Sequence, residues 1–372
     1  MNILIFSWRG PGHPHAGGAE KATHVYSQGW VKAGHEVTLF TSDYKGCKDE
    51  EIIDGVKIKR LGSQIFGVHI EAFRWYISGN HPQYDLVVDQ FHGIPFFTPL
   101  YVKEKKLAFI HEVTKEVWAL NPWPWPFNLI PAVFGTVLEP FIFKLFYRGI
   151  PFLTGSSSTR KDLISWGIPQ KNITVVPYGF NKPKVRIFPK EKKKTLIFLG
   201  ALSKDKGIED VLKIFSILNR SDDFQFWIIG KGEEHYLKKL MLQTKKLGIN
   251  KKVKFFGYVL EEKKFELLAR AHIFVNPSVR EGWGLVVIEA ASVGTPAVGY
   301  NVPGLRDSIL DGKTGILCYP NPEACSEAVF SLMSDQKKYQ TLRQNCLKWA
   351  RRFNWEKSVK KSLLLLEKIN RA

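Results

Sequence analysis

The densest chemistry in the chain lies in Asn276-Pro277-Ser278-Val279-Arg280-Glu281-Gly282-Trp283-Gly284-Leu285-Val286-Val287-Ile288-Glu289-Ala290. A buried-strand pattern ends at Asn276, a glycine-bearing loop presents Glu281, and a helical pattern opens near Gly284. The first-turn amides of such a helix have no partner within it and point outward, which makes an anion site. Gly282 and Gly284 let the backbone approach a ligand closely. Glu289 falls about one turn into the helix, within reach of the same crevice. The competing reading makes Glu281 a helix-start carboxylate and Glu289 part of a solvated face. Glu289 sits between Ile288 and Ala290-Ala291, which argues against plain exposure.

The elements that must position these residues repeat one plan. A strand over Asn2 to Trp8 runs into a Gly/Pro/His-rich loop, Arg9 to Gly18, then a helix from about Ala19 and a strand over Glu36 to Thr41. The plan recurs as a strand over Thr195 to Leu199, a loop over Gly200 to Gly207, a helix over Ile208 to Leu218 and a strand over Phe224 to Ile229. Each is the β-loop-α-β start of a parallel, doubly wound sheet, with a loop where anions bind. Further strands at Tyr84 to Asp89, Lys106 to Ile110, Val253 to Phe256 and Ile273 to Asn276 continue both halves. The expected fold is α/β, two Rossmann-like domains in tandem. The expected boundaries are residues 1–180, a Lys/Pro-rich linker at 181–194, a second domain at 195–352, and a terminal helix segment at 353–372. That helix, about Trp355 to Ile369, shows Val359, Leu363, Leu364 and Leu366 on one side and has room to cross back over the first domain.

Two glutamates separated by seven residues, in the setting PSVREGWGLVVIEAASVGTPAVGYNVPGL, resemble the signature of the retaining nucleotide-sugar glycosyltransferases of family 4. Gly17-Gly18-Ala19-Glu20, Ser156-Ser157-Ser158-Thr159 with Asp162, Gly200 to Gly207, and Phe353-Asn354-Trp355 extend the likeness over nearly the whole chain. The resemblance implies the GT-B fold: two Rossmann-like domains facing a cleft, with the C-terminal helix crossing back to the first. It implies that Glu281 bonds the donor sugar's hydroxyls and that the amides of Gly282, Trp283, Gly284 and Leu285 hold sugar and diphosphate. Glu289 takes the ribose hydroxyls. Lys206 neutralises the departing diphosphate, against the plainer reading of a surface lysine. Ala201 stands where the family has Arg, and Lys204 is the residue that could compensate. Gly17 and Gly18 bring helix amides to the phosphate. His111, after the strand Lys106 to Ile110, matches a strand-end histidine that bonds donor or acceptor; a satisfied structural histidine is the alternative. His13, His15 and His92 receive no role.

No Asp-x-Asp occurs, so no metal and no cofactor is expected beyond the nucleoside diphosphate sugar itself. Gly10-Pro11-Gly12 is only a partial dinucleotide fingerprint, since Pro14 stands where the helix should open. No carboxylate pair is set as nucleophile and acid, so hydrolysis by that route is not expected. The rivals are a nucleotide-sugar epimerase or phosphorylase on the same scaffold, and a non-catalytic nucleotide-sugar-binding protein.

The remaining features bound the setting. With 372 residues the chain can bury most of its apolar surface without staples. Cys47, Cys318, Cys325 and Cys346 lack CxxC or zinc spacing, which points to a reducing cytoplasm. Met1 to Phe6 reads as a strand rather than a signal peptide. No uninterrupted apolar run of about 18 residues is expected to span a membrane; Trp123 to Leu138 comes nearest and is broken by Pro124, Pro126, Asn128 and Pro131. The net charge of +19 is concentrated after residue 180, and Lys outnumbers Arg by 40 to 14 with no nucleic-acid motif. A solvated lysine-rich surface or attraction to an anionic membrane fits better than nucleic acid. Asn121 to Arg148, rich in Trp and Phe, reads either as a buried helix pair, favoured by Glu139 and five prolines, or as an interface segment that reaches a lipid-linked rather than a soluble glycan acceptor. The second reading would place the protein at the inner face of the cytoplasmic membrane.

Overall fold

The computed structural model describes residues 1–64, 66–91, 93–121, 125–181, 188–220 and 223–371. The chain divides into two compact units, Met1–Gly179 with Asn354–Ala372, and Phe180–Phe353. The expected linker residues 182–187, and with them His92 and Trp123, lie outside the described residues. The rest of the expected linker is not bare: Lys190 Nζ donates to Ala271 O and Thr295 Oγ1 at 2.5 and 2.7 Å, and Glu191 N donates to Arg270 O at 2.9 Å, all within the second unit.

In the first unit the order is β1 (Asn2–Ser7), α1 (Gly18–Lys32), β2 (Glu36–Thr41), β3 (Glu50–Ile53), β4 (Val56–Arg60), α2 (Gly67–Ile77), β5 (Leu86–Phe91), β6 (Lys105–Ile110), α3 (Leu129–Ile142), β7 (Phe152–Thr154), α4 (Ser157–Ser165) and β8 (Ile173–Val175). The eight strands run β3-β4-β2-β1-β5-β6-β7-β8, parallel except for the β3–β4 hairpin. Strands such as β1 and β5 are buried on both faces, so they read as continuous apolar runs rather than alternating ones. Ser156 caps α4 by accepting from Thr159 N at 3.1 Å.

The second unit runs β9 (Lys194–Leu199), α5 (Ile208–Leu218), β10 (Phe224–Ile229), α6 (Glu234–Lys246), β11 (Val253–Gly257), α7 (Glu261–Arg270), β12 (Ile273–Asn276), α8 (Leu285–Ser292), β13 (Ala297–Tyr300), α9 (Leu305–Ser308), β14 (Gly315–Cys318), α10 (Pro322–Ser334) and α11 (Gln336–Ala350). Its sheet is all parallel in the order β11-β10-β9-β12-β13-β14. The order reverses between β9 and β12, and ligands bind doubly wound sheets at the strand ends of such a point.

The last helix, α12 (Trp355–Arg371), returns to the first unit. Trp30 Nε1 donates to Ser362 Oγ at 2.9 Å and Ser358 Oγ donates to Pro177 O at 2.7 Å. Its buried stripe is Trp355, Ser358, Ser362, Leu365, Leu366 and Ile369, so Leu364 faces outward rather than inward as the pattern suggested. Ser362 takes an inward place because the Trp30 indole needs an acceptor there.

Two readings of Asn121 to Arg148 are overturned: that its prolines break the apolar stretch, and that it forms a buried helix pair. The stretch Leu129–Tyr147 is a helix of 19 residues, long and apolar enough to cross a membrane, and only 12% of its apolar window is buried. Pro131 falls in the first helical turn, where no intrahelical amide bond is lost, so it does not break the run. Pro140 is carried inside the helix, which continues as a π-helix over Phe143–Tyr147. The segment is not a buried helix pair: one side is held down and the other is bare.

Candidate active site

The signature loop is built at the C-terminal end of β12. Asn276 Oδ1 accepts from Ser278 N at 3.1 Å and lies 2.6 Å from Ser278 Oγ, turning the chain sharply as it leaves the strand. Ser278 Oγ also lies 2.8 Å from Glu281 Oε1, so its one proton serves one of these two oxygens at a time. The Glu281 backbone is gripped from behind. Its amide donates to Pro303 O at 3.2 Å, and Gly304, at φ +80°, leaves no room for a Cβ, which would stand 1.9 Å from Glu281 O.

The loop after β9 packs against this turn. Val279 N donates to Asp205 O at 2.8 Å, and a Cβ on Gly207, at φ +70°, would stand 2.1 Å from Pro277 O. Only glycine fits both demands. This close approach brings Lys206 Nζ to 3.1 Å from Glu281 Oε2, with the two side chains 24% and 14% exposed. The structure therefore brings together a cation, a carboxylate and the N-terminus of α8, which begins after Gly284. Such an arrangement can bind an anion and a hydroxylated group side by side.

Glu289 is buried on α8, where Lys264 of α7 donates to its Oε1 at 2.7 Å. The solvated reading of Glu289 fails. Gly282 and Leu285 are half-buried beside the turn, but the Trp283 side chain is buried and meets Phe353 edge to face at 5.1 Å. Trp283 can thus serve the loop through its backbone, with its indole in the packing. Lys204 and Ala201 are both exposed.

In the first unit, His111 follows β6 and is 3% exposed. Its Nδ1 lies 2.5 Å from Tyr178 OH and its Nε2 3.2 Å from Thr23 Oγ1, while Thr23 Oγ1 donates to Ala19 O at 3.0 Å. That last bond assigns the protons: Tyr178 donates to Nδ1, and Nε2–H donates to Thr23. The imidazole is thus tied to the start of α1, the helix that Gly17 and Gly18 open. Gly17 N donates to Glu20 Oε2 at 2.7 Å, and Glu20 is buried and paired with Arg9 Nε at 2.8 Å. The Gly17 amide is therefore taken within the loop, while a Cβ on Gly18 would meet nothing within 4 Å. His13 and His15 lie in the preceding loop, where His15 N donates to His13 Nδ1 at 3.1 Å.

The partners of the predicted residues are what sequence reasoning missed: Ser278, Lys264, Tyr178, Thr23 and Arg9. Ser278, three residues before Glu281, had a local signal as a turn residue. Lys264 had none, since it is one lysine in an ordinary charged helix. Among the described residues no group of three or more His, Cys, Asp or Glu is placed to hold a metal ion.

The model for glycosyl transferases group 1 matches residues 181–349, and the model for glycosyltransferase family 4 matches residues 16–182. An uncharacterized glycosyltransferase of Methanocaldococcus jannaschii is 23% identical, covering 98% of this chain and 97% of its own. Among solved structures, sucrose-phosphate synthase of Thermosynechococcus elongatus superposes with a TM-score of 0.80 at 18% identity, over 99% of this chain and 98% of that one. Anabaena HepE in complex with UDP-glucose gives 0.73 at 16% identity, over 99% of this chain and all of that one.

Proposed function

The chain belongs to the group 1, family 4 glycosyltransferases, an enzyme class that transfers glycosyl groups, and from that premise we propose that it moves a hexose from a nucleoside diphosphate sugar to an acceptor hydroxyl, with retention and without a metal ion. The observation that carries this reading is the Lys206–Glu281 pair, 3.1 Å apart beside the start of α8. Without a donor the two charges satisfy each other. A diphosphate draws the ammonium away, and the released carboxylate then accepts from the sugar hydroxyls. The α8 amides share the phosphate charge with Lys206, the kind of preset charge stabilisation that dominates such reactions. The buried Glu289, held by Lys264, is assigned to the ribose hydroxyls.

In the transfer, the bond from the anomeric carbon to the phosphate oxygen breaks and the bond to the acceptor oxygen forms on the same face. The acceptor proton passes to the departing phosphate. The nucleoside diphosphate leaves with its charge partly neutralised by Lys206. His111 acts through its neutral ring: to bond a sugar it must exchange its Thr23 or Tyr178 contact for the ligand. The acceptor is assigned to the first unit, as a glycan or a lipid-linked sugar.

A thermal-shift panel of UDP, GDP and ADP and their hexose conjugates tests the donor, because a ligand that binds the native state stabilises it by mass action. One nucleotide series should raise the midpoint, and Lys206→Gln should abolish the rise. Turnover with that donor should persist in EDTA. No response to any nucleotide, or full turnover by Lys206→Gln, would overturn the reading.

A further inference from the structure

Fourteen of the 25 large apolar side chains that stand exposed among the described residues fall between Phe66 and Leu145, all in the first unit. They form two stripes. Along α3 and its continuation, Val133, Val137, Phe141 and Leu145 recur every fourth residue, each more than half exposed. On α2 the stripe is Phe66, Ile70, Phe73 and Ile77. An ordinary surface helix turns such a stripe inward; these two turn it out.

Both helices cover one face of the first sheet. Val87 and Phe91 of β5 point the same way by strand alternation. Val87 packs in one core with Val68 and Ala72 of α2, and Phe91 in another with Phe143 and Tyr147. The turn Thr98–Leu100 bridges the two: Phe73 meets Tyr101 at 5.1 Å, Phe97 meets Phe146 at 6.3 Å, and Leu100 is exposed between them.

The underside prevents this helix from crossing a bilayer. Glu139, buried, accepts from Thr114 N at 2.8 Å, Lys115 N at 3.1 Å and Trp118 Nε1 at 3.0 Å. Phe143 and Tyr147 are fully buried, and Tyr147 OH donates to Asp89 Oδ2 at 2.6 Å. A helix held down on one side and bare on the other lies along an interface.

We propose that the face formed by α2, the Thr98–Leu100 turn and α3 docks the protein flat on an anionic lipid bilayer. Charge favours this occupant. Residues 119–143 contain one charged side chain, Glu139, which is turned into the protein. Lys144 and Arg148, on and after the continuation of α3, and Lys103, after the bridging turn, are exposed cations. Headgroup phosphates complement them, whereas a second copy docked on this face would set the cations Lys103, Lys144 and Arg148 against cations of the same kind. The docking gives a reason for a lipid-linked acceptor and so deepens the proposed function, but its test needs no turnover.

Co-sedimentation of the full chain with phosphatidylcholine vesicles and with phosphatidylcholine–phosphatidylglycerol vesicles, at low and high salt, decides the matter. Binding should favour the anionic vesicles, and Val137→Glu/Phe141→Glu should weaken it at least tenfold. Lys144→Gln/Arg148→Gln should remove most of the salt dependence. Circular dichroism and the nucleotide thermal shift report whether each variant folds, and Val133→Ser serves if the double change does not. Absence of vesicle binding at every composition overturns the proposal, as does binding unchanged by the α3 variants. Self-association lost in Val137→Glu/Phe141→Glu, with no vesicle binding, would assign the face to a second copy and also overturn it. Docking that persists while transfer to a lipid acceptor fails would refute the acceptor and leave the surface standing.

Discussion

Two apolar helices, α8 and α3, carry one glutamate each and are treated oppositely by the fold. The α8 sequence LVVIEAAS is packed between β12, β13, α7, α9 and α11, and Glu289 finds an ammonium from α7. The α3 sequence LIPAVFGTVLEPFI is supported within its unit by the Lys115–Leu120 turn before it and by its own π-helical continuation, and Glu139 finds two amides and an indole. Apolar composition alone therefore does not say which helix is buried. The single carboxylate does say which side faces the protein, because an unpaired charge is tolerated neither in a core nor in a membrane. In the proposed reading the buried side of α8 serves ligand chemistry, while that of α3 holds the helix to its unit.

The sharpest way to break this contrast is to remove each helix's purpose separately. Glu281→Ala, at the entry to α8, should lower kcat by about 10²–10³, the usual loss for one preset charge-stabilising group, and leave vesicle binding unchanged. The α3 glutamate substitutions should do the reverse: weak vesicle binding with turnover on a soluble acceptor intact. Equal loss of both properties in either variant would show that the two helices are not separable.

A smaller effect sharpens the anchor. Glu139→Ala removes the acceptor for two amides and an indole, which should cost about 3 kcal/mol of stability in chemical denaturation, on the scale of about 1–3 kcal/mol for each buried group left unsatisfied. Glu139→Gln keeps one acceptor oxygen and should recover part of that loss. Should both changes prove neutral, α3 is not held by this carboxylate.

The contrast also explains what was legible beforehand. Strands Glu36–Thr41, Phe224–Ile229 and Ile273–Asn276 and helix Ile208–Leu218 match the sequence pattern end to end, because buried parallel strands and glycine-bounded helices mark their own limits. The Glu281 turn was legible for the same local reason. The β3–β4 hairpin had a local signal too, since Asp54 and Gly55, both at positive φ, are a hairpin dipeptide. Long-range partners were not legible: Lys264 meets Glu289 from 25 residues away, and Tyr178 meets His111 from 67. Nor was the exposure of α3, since a stripe every fourth residue is the same whether it faces a core or a bilayer.

The smallest predicted effect separates the units by acid. In the second unit, burial first, then Lys190, Arg343 and Lys194, push His272 down from 6.5 to about 4. Its Nδ1 accepts from Thr195 N at 3.1 Å, a bond that only the unprotonated nitrogen can make. The unfolded chain takes up this proton at about pH 6.5, before the folded chain does, so stability should fall between pH 6.5 and 4 and level off below. Allowing for the solvent around a half-buried ring, the loss is about 1 kcal/mol. In the first unit, beneath the α3 anchor, burial raises Asp89 despite its bonds from Tyr147, Phe96 N and Thr98. The folded state there holds a proton that the unfolded state has released, so acid favours folding, and the gain is lost as pH rises through the raised value. The two groups therefore pull in opposite senses as the pH falls towards 4. Denaturation midpoints of the full chain between pH 7 and 4 should lose their acid-side fall in His272→Gln and show a steeper one in Asp89→Asn. Parallel profiles for wild type and both variants would mean that neither group titrates differently on folding.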